Sequence, residues 1–140
     1  MKNNTTVRFT LLSLLLGLTC LPAGAATFNV SFPSERSAQP LDGRLILLLS
    51  RDFEREPRSH VAPNEPLASP YLFGLTVERL APGAQAILDD SAFGWPAMHL
   101  SAVPKGRYFV QAVLNRYEDF HLADGRTLKL PPDKGEGQQW

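Results

Sequence analysis

Short runs of alternating apolar and polar residues occur along most of the chain. Residues 28–32 read FNVSF, and residues 71–78 and 108–114 alternate in the same way. Because successive side chains of a β-strand point to opposite faces of a sheet, a period of two predicts strands with one buried face. Two shorter segments, residues 86–88 and 127–130, are predicted to be strands for the same reason.

One further run, residues 45–49 with the sequence LILLL, is apolar at every position. This is typical of a strand that is buried on both faces, so we expect it at the centre of a sheet. No long window has a helical period, although one helical turn fits within residues 96–103. We therefore predict one all-β domain over residues 27–130, a small antiparallel β-sandwich of the immunoglobulin-like or a related type. The breaks between runs carry turn-forming residues, namely Asp42-Gly43, Pro82-Gly83, Pro104-Lys105-Gly106 and Asp124-Gly125.

The first 26 residues have the pattern of an export signal. Lys2 and Arg8 precede an apolar stretch over residues 9–21, and small residues follow at positions 23–26. The apolar stretch is shorter than the roughly 20 residues that a membrane-spanning helix needs. We predict a helical signal peptide over residues 1–26, cleaved after Ala25 or Ala26. The mature protein is then periplasmic or extracellular and has no stable membrane anchor.

Charge and cysteine content exclude several functions. The full chain has 14 Lys and Arg against 14 Asp and Glu, and removal of Lys2 and Arg8 leaves 12 basic residues against 14 acidic ones. A near-neutral chain does not favour nucleic acid as a partner, since phosphate binding needs a basic surface. Cys20 is the single cysteine and lies in the signal. The exported domain would therefore have no disulfide, no thiol nucleophile and no thiolate metal site.

Two segments lack a strand pattern. Residues 51–70 carry charges of alternating sign and four prolines, which is typical of a solvated surface loop. Residues 131–140 form a polar, glycine-rich tail that stops on Trp140. We interpret this tail as the start of a downstream region, or else as a segment that docks back on the domain.

The usual catalytic and nucleotide-binding motifs are missing from the sequence. It contains no G-x-S-x-G, no phosphate-binding glycine loop and no H-E-x-x-H. The three histidines, His60, His99 and His121, are far apart in the chain. We therefore predict no catalytic residue, no cofactor and no metal.

The densest polar cluster lies in residues 115–125. Glu118, Asp119, His121 and Asp124 could surround a cation, but their spacing matches no known set of ligands. The alternative is a polar hairpin that turns at Asp124-Gly125. Aromatic side chains, namely Tyr71, Phe73, Trp95, Tyr117, Phe120 and Trp140, could also form a platform that stacks on a sugar ring. The candidate ligand-binding residues are Trp95, Tyr117, Glu118, Phe120 and His121.

Several segments resemble a known family. The most specific is the run YFVQAVLN at residues 108–115 followed by YEDFH at residues 117–121. The chain is similar to the N-terminal β-rich region of large exported bacterial esterase-like proteins, and the similarity covers nearly all of residues 27–140. The other segments that carry it are residues 43–52, 80–83, 104–107, 123–125 and 135–140.

The resemblance implies an accessory role. In that family the catalytic part is an α/β-hydrolase domain further along the chain, and its nucleophile, acid and histidine are not in these 140 residues. We therefore expect a non-catalytic interaction module of an exported esterase, present in truncated form, whose partner is the missing hydrolase domain. On its own it is not expected to be an enzyme. The alternative is a stand-alone secreted module that binds carbohydrate or another exported ligand.

Overall fold

The computed structural model describes residues 26–132, and these form an all-β fold with antiparallel sheets. The all-β prediction is therefore confirmed. Apart from Ala26, the predicted signal helix lies outside the described residues, as do residues 133–140 of the predicted tail. Within the described part, no helix is long and apolar enough to cross a bilayer. The strands are β1 (Phe28–Val30), β2 (Leu41–Ser50), β3 (Tyr71–Leu80), β4 (Ala86–Leu88), β5 (Phe93–Trp95), β6 (Phe109–Arg116), β7 (Glu118–His121) and β8 (Thr127–Leu130).

A four-stranded sheet in the order β5-β3-β2-β6 is the centre of the fold. The apolar run of residues 45–49 lies in β2, which pairs with β3 on one side and with β6 on the other, as its pattern predicts. Leu47 is opposite Phe73 of β3 and Ala112 of β6. These three side chains point to the same face, because residues that are paired across neighbouring strands share a face.

The core lies on this Leu47 face. Leu47 and Phe73 are almost completely buried, and β4 contributes Ala86 and Leu88 to the same cluster. The short ribbon β1-β4 thus packs against one face of the large sheet, and β1 adds the partly buried Phe28. Each fully buried leucine or phenylalanine contributes about 2–3 kcal/mol to folding, so the stability of the domain depends on this cluster.

The opposite face of the sheet is covered by residues 51–70. A 3-10 helix over Pro57–His60 lies against β2 and β6, and Pro57 is buried. Leu48, on this second face of β2, is buried too. The segment is therefore not the fully solvated loop that its charges indicate. The charged side chains remain in water while the backbone packs on the sheet.

Two strands were not predicted, and one turn was predicted incorrectly. The strands β5 and β7 have no alternating pattern of their own, and they form because a neighbouring strand offers hydrogen bonds. Asp42-Gly43 does not form a turn but lies inside β2, at an irregularity in its pairing with β3. The helical turn predicted within residues 96–103 is present as the 3-10 helix Leu100–Ala102.

The strands β7 and β8 form a separate hairpin. Its turn contains Gly125, whose φ of 86° suits glycine far better than other residues. The polar hairpin predicted around Asp124-Gly125 is therefore present. The hairpin is attached to the large sheet where the Tyr117 N–H donates a hydrogen bond to the Asp42 carbonyl oxygen at 2.9 Å.

Candidate interaction surface

The predicted site residues do not lie together on one surface. Trp95 is on β5, at one edge of the large sheet, whereas Tyr117 follows β6 at the other edge. Three strand spacings separate these edges, a distance of about 14 Å. The remaining candidates, Glu118, Phe120 and His121, are on β7 of the hairpin. Trp95 therefore cannot form a single stacking platform with Tyr117 and Phe120.

The polar candidates on β7 point in different directions. Glu118 and Phe120 share one face of the hairpin, while His121 is on the other. The Nδ1 atom of His121 lies 3.0 Å from Thr127 Oγ1, and Asp124 pairs with Arg126 in the turn. Across residues 26–132, no three His, Cys, Asp or Glu side chains gather in a way that could hold a metal ion.

Asp42 holds the hairpin to the sheet. One of its carboxylate oxygens accepts a hydrogen bond from the Lys129 ammonium of β8, and the other accepts one from the Arg79 backbone N–H at 2.6 Å. The Lys129 contact, followed by that N–H, lowers the pKa of Asp42. The same contact raises the pKa of Lys129. Both groups are therefore charged at neutral pH, and they attach the hairpin in a defined position.

Ser50 and His60 form a hydrogen-bonded pair that the sequence pattern does not indicate. Ser50 Oγ lies 3.0 Å from His60 Nε2, and His60 Nδ1 lies 3.1 Å from the Glu56 carbonyl oxygen. This spacing matches that of a serine nucleophile and its base. However, Ser50 is only 2% exposed, and its Oγ already accepts a hydrogen bond from the Asp52 N–H. Ser50 and His60 both border a second cavity of 270 Å³, so the burial of Ser50 and its second hydrogen bond, rather than the lack of a cavity, argue against a nucleophile.

The Ser50–His60 pair therefore has a structural role. It links the 3-10 helix to the end of β2. A second hydrogen bond links the helix to β6, where the Arg58 N–H donates to Gln111 Oε1 at 2.9 Å. Gln111 also donates to the Glu56 carboxylate. Together these bonds hold residues 51–70 on the sheet and cover part of its second face, although Phe109 of β6 is still 38% exposed there.

An apolar groove lies on the Leu47 face, where the ribbon β1-β4 does not reach β6. Its volume is 410 Å³. Val110 of β6, which would be a core residue if this face were fully covered, is 44% exposed. We call this feature the β6 groove. It is lined mainly by Phe28, Leu49, Leu100, Val103, Tyr108 and Val110.

The wall of the β6 groove is held in place by Tyr108. Its hydroxyl donates a hydrogen bond to the Pro104 carbonyl oxygen at 2.6 Å and accepts one from the Arg51 guanidinium at 3.2 Å. Its ring also meets the Tyr71 ring edge-on, with 6.1 Å between centroids. The groove is therefore a built feature with fixed walls, rather than a gap left by a loose side chain.

A second exposed apolar surface lies on the hairpin. Phe120 is directly opposite Leu128, and Leu130 is on the same face. These three side chains are 39–46% exposed, and we call them the hairpin strip. The two surfaces were missed because sequence patterns show which side chains are apolar but not which of them lack a cover. Only Phe120 was among the predicted site residues.

Comparison of the sequence with models of protein families finds no match. Comparisons with curated proteins and with solved structures find none either.

Proposed function

We propose that this chain is a non-catalytic interaction module of an exported esterase, with an immunoglobulin-like or related β-sandwich fold. The observation that carries the proposal is the β6 groove, in which core-type side chains such as Val110 are open to solvent. A partner that covers such side chains would remove apolar surface from water, which is favourable. The two-layer packing of the ribbon on the large sheet supports the sandwich assignment.

The partner proposed from the resemblance is an α/β-hydrolase domain. The hairpin strip supports a protein partner, because its three apolar side chains are partly exposed to solvent. The burial of Ser50 is consistent with a module that leaves catalysis to its partner.

The test has two parts. The full chain is assayed on short acyl esters, and we expect no turnover above a heat-treated sample, since Ser50 is almost completely buried. The chain is then mixed with the purified hydrolase domain of an exported bacterial esterase of the resembled type, and binding is measured by calorimetry. Turnover by the chain alone would contradict a non-catalytic role, and absence of binding would contradict the proposed partner.

A carbohydrate-binding module is the second candidate. Phe93 and Trp95 are two residues apart on β5 and therefore share a face, and Phe93 is mostly exposed. Two neighbouring rings on one strand could stack on a sugar. Titration with soluble oligosaccharides, followed by tryptophan fluorescence, tests this candidate against a Phe93→Ala variant. A saturable change that the variant loses would favour it over the esterase partner.

A further inference from the structure

The two layers of the fold leave open edges on the same side. In the described part of the chain, β6 pairs only with β2, and β1 pairs only with β4. Since β4 lies against β3, the strand β1 is the member of the ribbon nearer to β6. The β6 groove runs between them and is lined by Phe28 of β1 and Val110 of β6. A missing strand would fit at this position.

The first six residues of β6 have none of the features that normally prevent strand pairing, whereas Arg116 places a charge at its end. Proteins protect exposed edges with prolines, charged side chains or bulges. Residues 109–114 read FVQAVL, with no proline and no charge, and their pairing with β2 is regular. No other strand of the described residues covers this edge. Its backbone N–H and C=O groups are therefore free to pair with an incoming strand.

One bound strand could contact both the β6 groove and the edge of β6. Leu49 and Val110 are paired across β2 and β6, and both line the groove. A strand added beside β6 would direct every second side chain onto this same face. Those side chains would fill the groove while the backbone bonded to β6. This is the geometry of β-strand addition, in which main-chain bonds give affinity and side-chain pockets give specificity.

Charge indicates the chemistry of one end of the occupant. Lys105 and Arg107 lie just before β6, where no acidic residue is near them in the chain. At the other end, Arg116 is followed by Glu118 and Asp119 of β7, which offset its charge. A strand with an acidic residue beside Lys105 and Arg107 would complement this distribution.

We propose that the free edge of β6 and the β6 groove bind an extended strand of a partner protein, with apolar residues at alternate positions and an acidic residue at the end that lies beside Lys105 and Arg107. The proposal rests on the proposed interaction function and names the surface and the form of the partner segment. It differs from a docked helix or a lipid, because neither of these would use the backbone groups of β6.

A peptide experiment tests the proposal. The probe is a synthetic peptide of about eight residues, a usual strand length, in which valine alternates with threonine between terminal glutamates. We expect saturable binding to the full chain and slower amide hydrogen exchange in β6, with no change in β5. A control peptide with prolines replacing the central threonines lacks the backbone donors and should not bind.

Two variants at neighbouring positions locate the site. Val110→Lys places a charge in the groove and should weaken peptide binding about tenfold or more. Phe109→Lys changes the adjacent residue, which points to the opposite face and is similarly exposed, and should bind like the unchanged protein. Circular dichroism confirms that both variants fold. If both variants bind equally well, or if protection appears outside β6, the proposal is wrong.

The outcomes separate this proposal from the proposed function. If the hydrolase domain binds but the peptide does not compete with it, strand addition at β6 is wrong while the interaction function stands. If the peptide binds β6 but the hydrolase domain does not, the strand site is supported and its esterase partner is wrong. A dimer in light scattering that Val110→Lys dissociates would assign the edge to a second copy of this chain, and would overturn the proposal.

Discussion

Replacement of Leu47 by alanine is the sharpest test of the fold. Leu47 is 1% exposed, and it lies between Phe73 and Ala112 in the middle of the large sheet. Truncation removes three carbon atoms, which costs about 2.4 kcal/mol at roughly 0.8 kcal/mol for each buried methylene. The cavity that remains adds to this cost, because β2 is paired on both sides and cannot relax. We expect a total loss of about 3–4 kcal/mol, within the usual range for buried leucines.

Urea unfolding, followed by circular dichroism, measures this loss directly. The matched control is Leu67→Ala, the same substitution at a fully exposed position in residues 51–70, which should change the free energy of unfolding by less than about 0.5 kcal/mol. In thermal unfolding, a loss of 3 kcal/mol corresponds to a fall of roughly 12–24 °C in Tm. A loss under about 1 kcal/mol for Leu47→Ala would show that β2 is not the central strand.

Two further substitutions test local features. Gly94→Ala would drive a methyl group into the Phe73 ring and should cost about 1–3 kcal/mol in urea unfolding. Gly106→Ala, which has only ordinary contacts, is the control and should be nearly neutral; equal effects of the two would argue against the packing at β5. Asp42→Asn removes the charge that attracts Lys129 and should speed hydrogen exchange in β7 and β8 but not in β5, which Asp42 does not contact. Unchanged hairpin exchange would mean that this ion pair does not hold the hairpin.

The same ion pair predicts a pH dependence of hairpin attachment. The pKa of Asp42 is lowered, so ionised Asp42 stabilises the attachment of the hairpin fully at pH values above the ordinary aspartate pKa. This stabilisation is lost as the pH falls through the lowered pKa. The pKa of Lys129 is raised, so the stabilisation that its ammonium group gives to hairpin attachment is lost only as the pH rises through the raised pKa. The rate of amide hydrogen exchange in β7 and β8, divided by the intrinsic rate at each pH, should be constant between the pKa of Asp42 and that of Lys129. It should increase in acid. An increase near neutral pH would contradict this account.

Regular alternation allowed most of the fold to be predicted from the sequence. The apolar run of residues 45–49 indicated the central strand because only a strand with neighbours on both sides and cover on both faces is apolar throughout. The short strand β5 was missed, since three residues cannot show a period. Asp42-Gly43 was wrongly predicted to be a turn because turn chemistry also suits an irregular position inside a strand.

The candidate surface was much less predictable. Val110 alternates as a core residue does, and the sequence cannot show that the β1-β4 ribbon stops short of it. The pairing of Ser50 with His60 depends on how residues 51–70 fold back, which no local pattern indicates. Conversely, Trp95 and Tyr117 were grouped by residue type, although they lie at opposite edges of the sheet.

The most direct test of the central claim is amide hydrogen exchange of the full chain with and without the hydrolase domain of an exported esterase of the resembled type. The account predicts slower exchange along β6, and no change in β5 at the far edge of the sheet. Unchanged exchange throughout, or protection confined to β5, would contradict the claim that the β6 groove and its edge form the interaction surface.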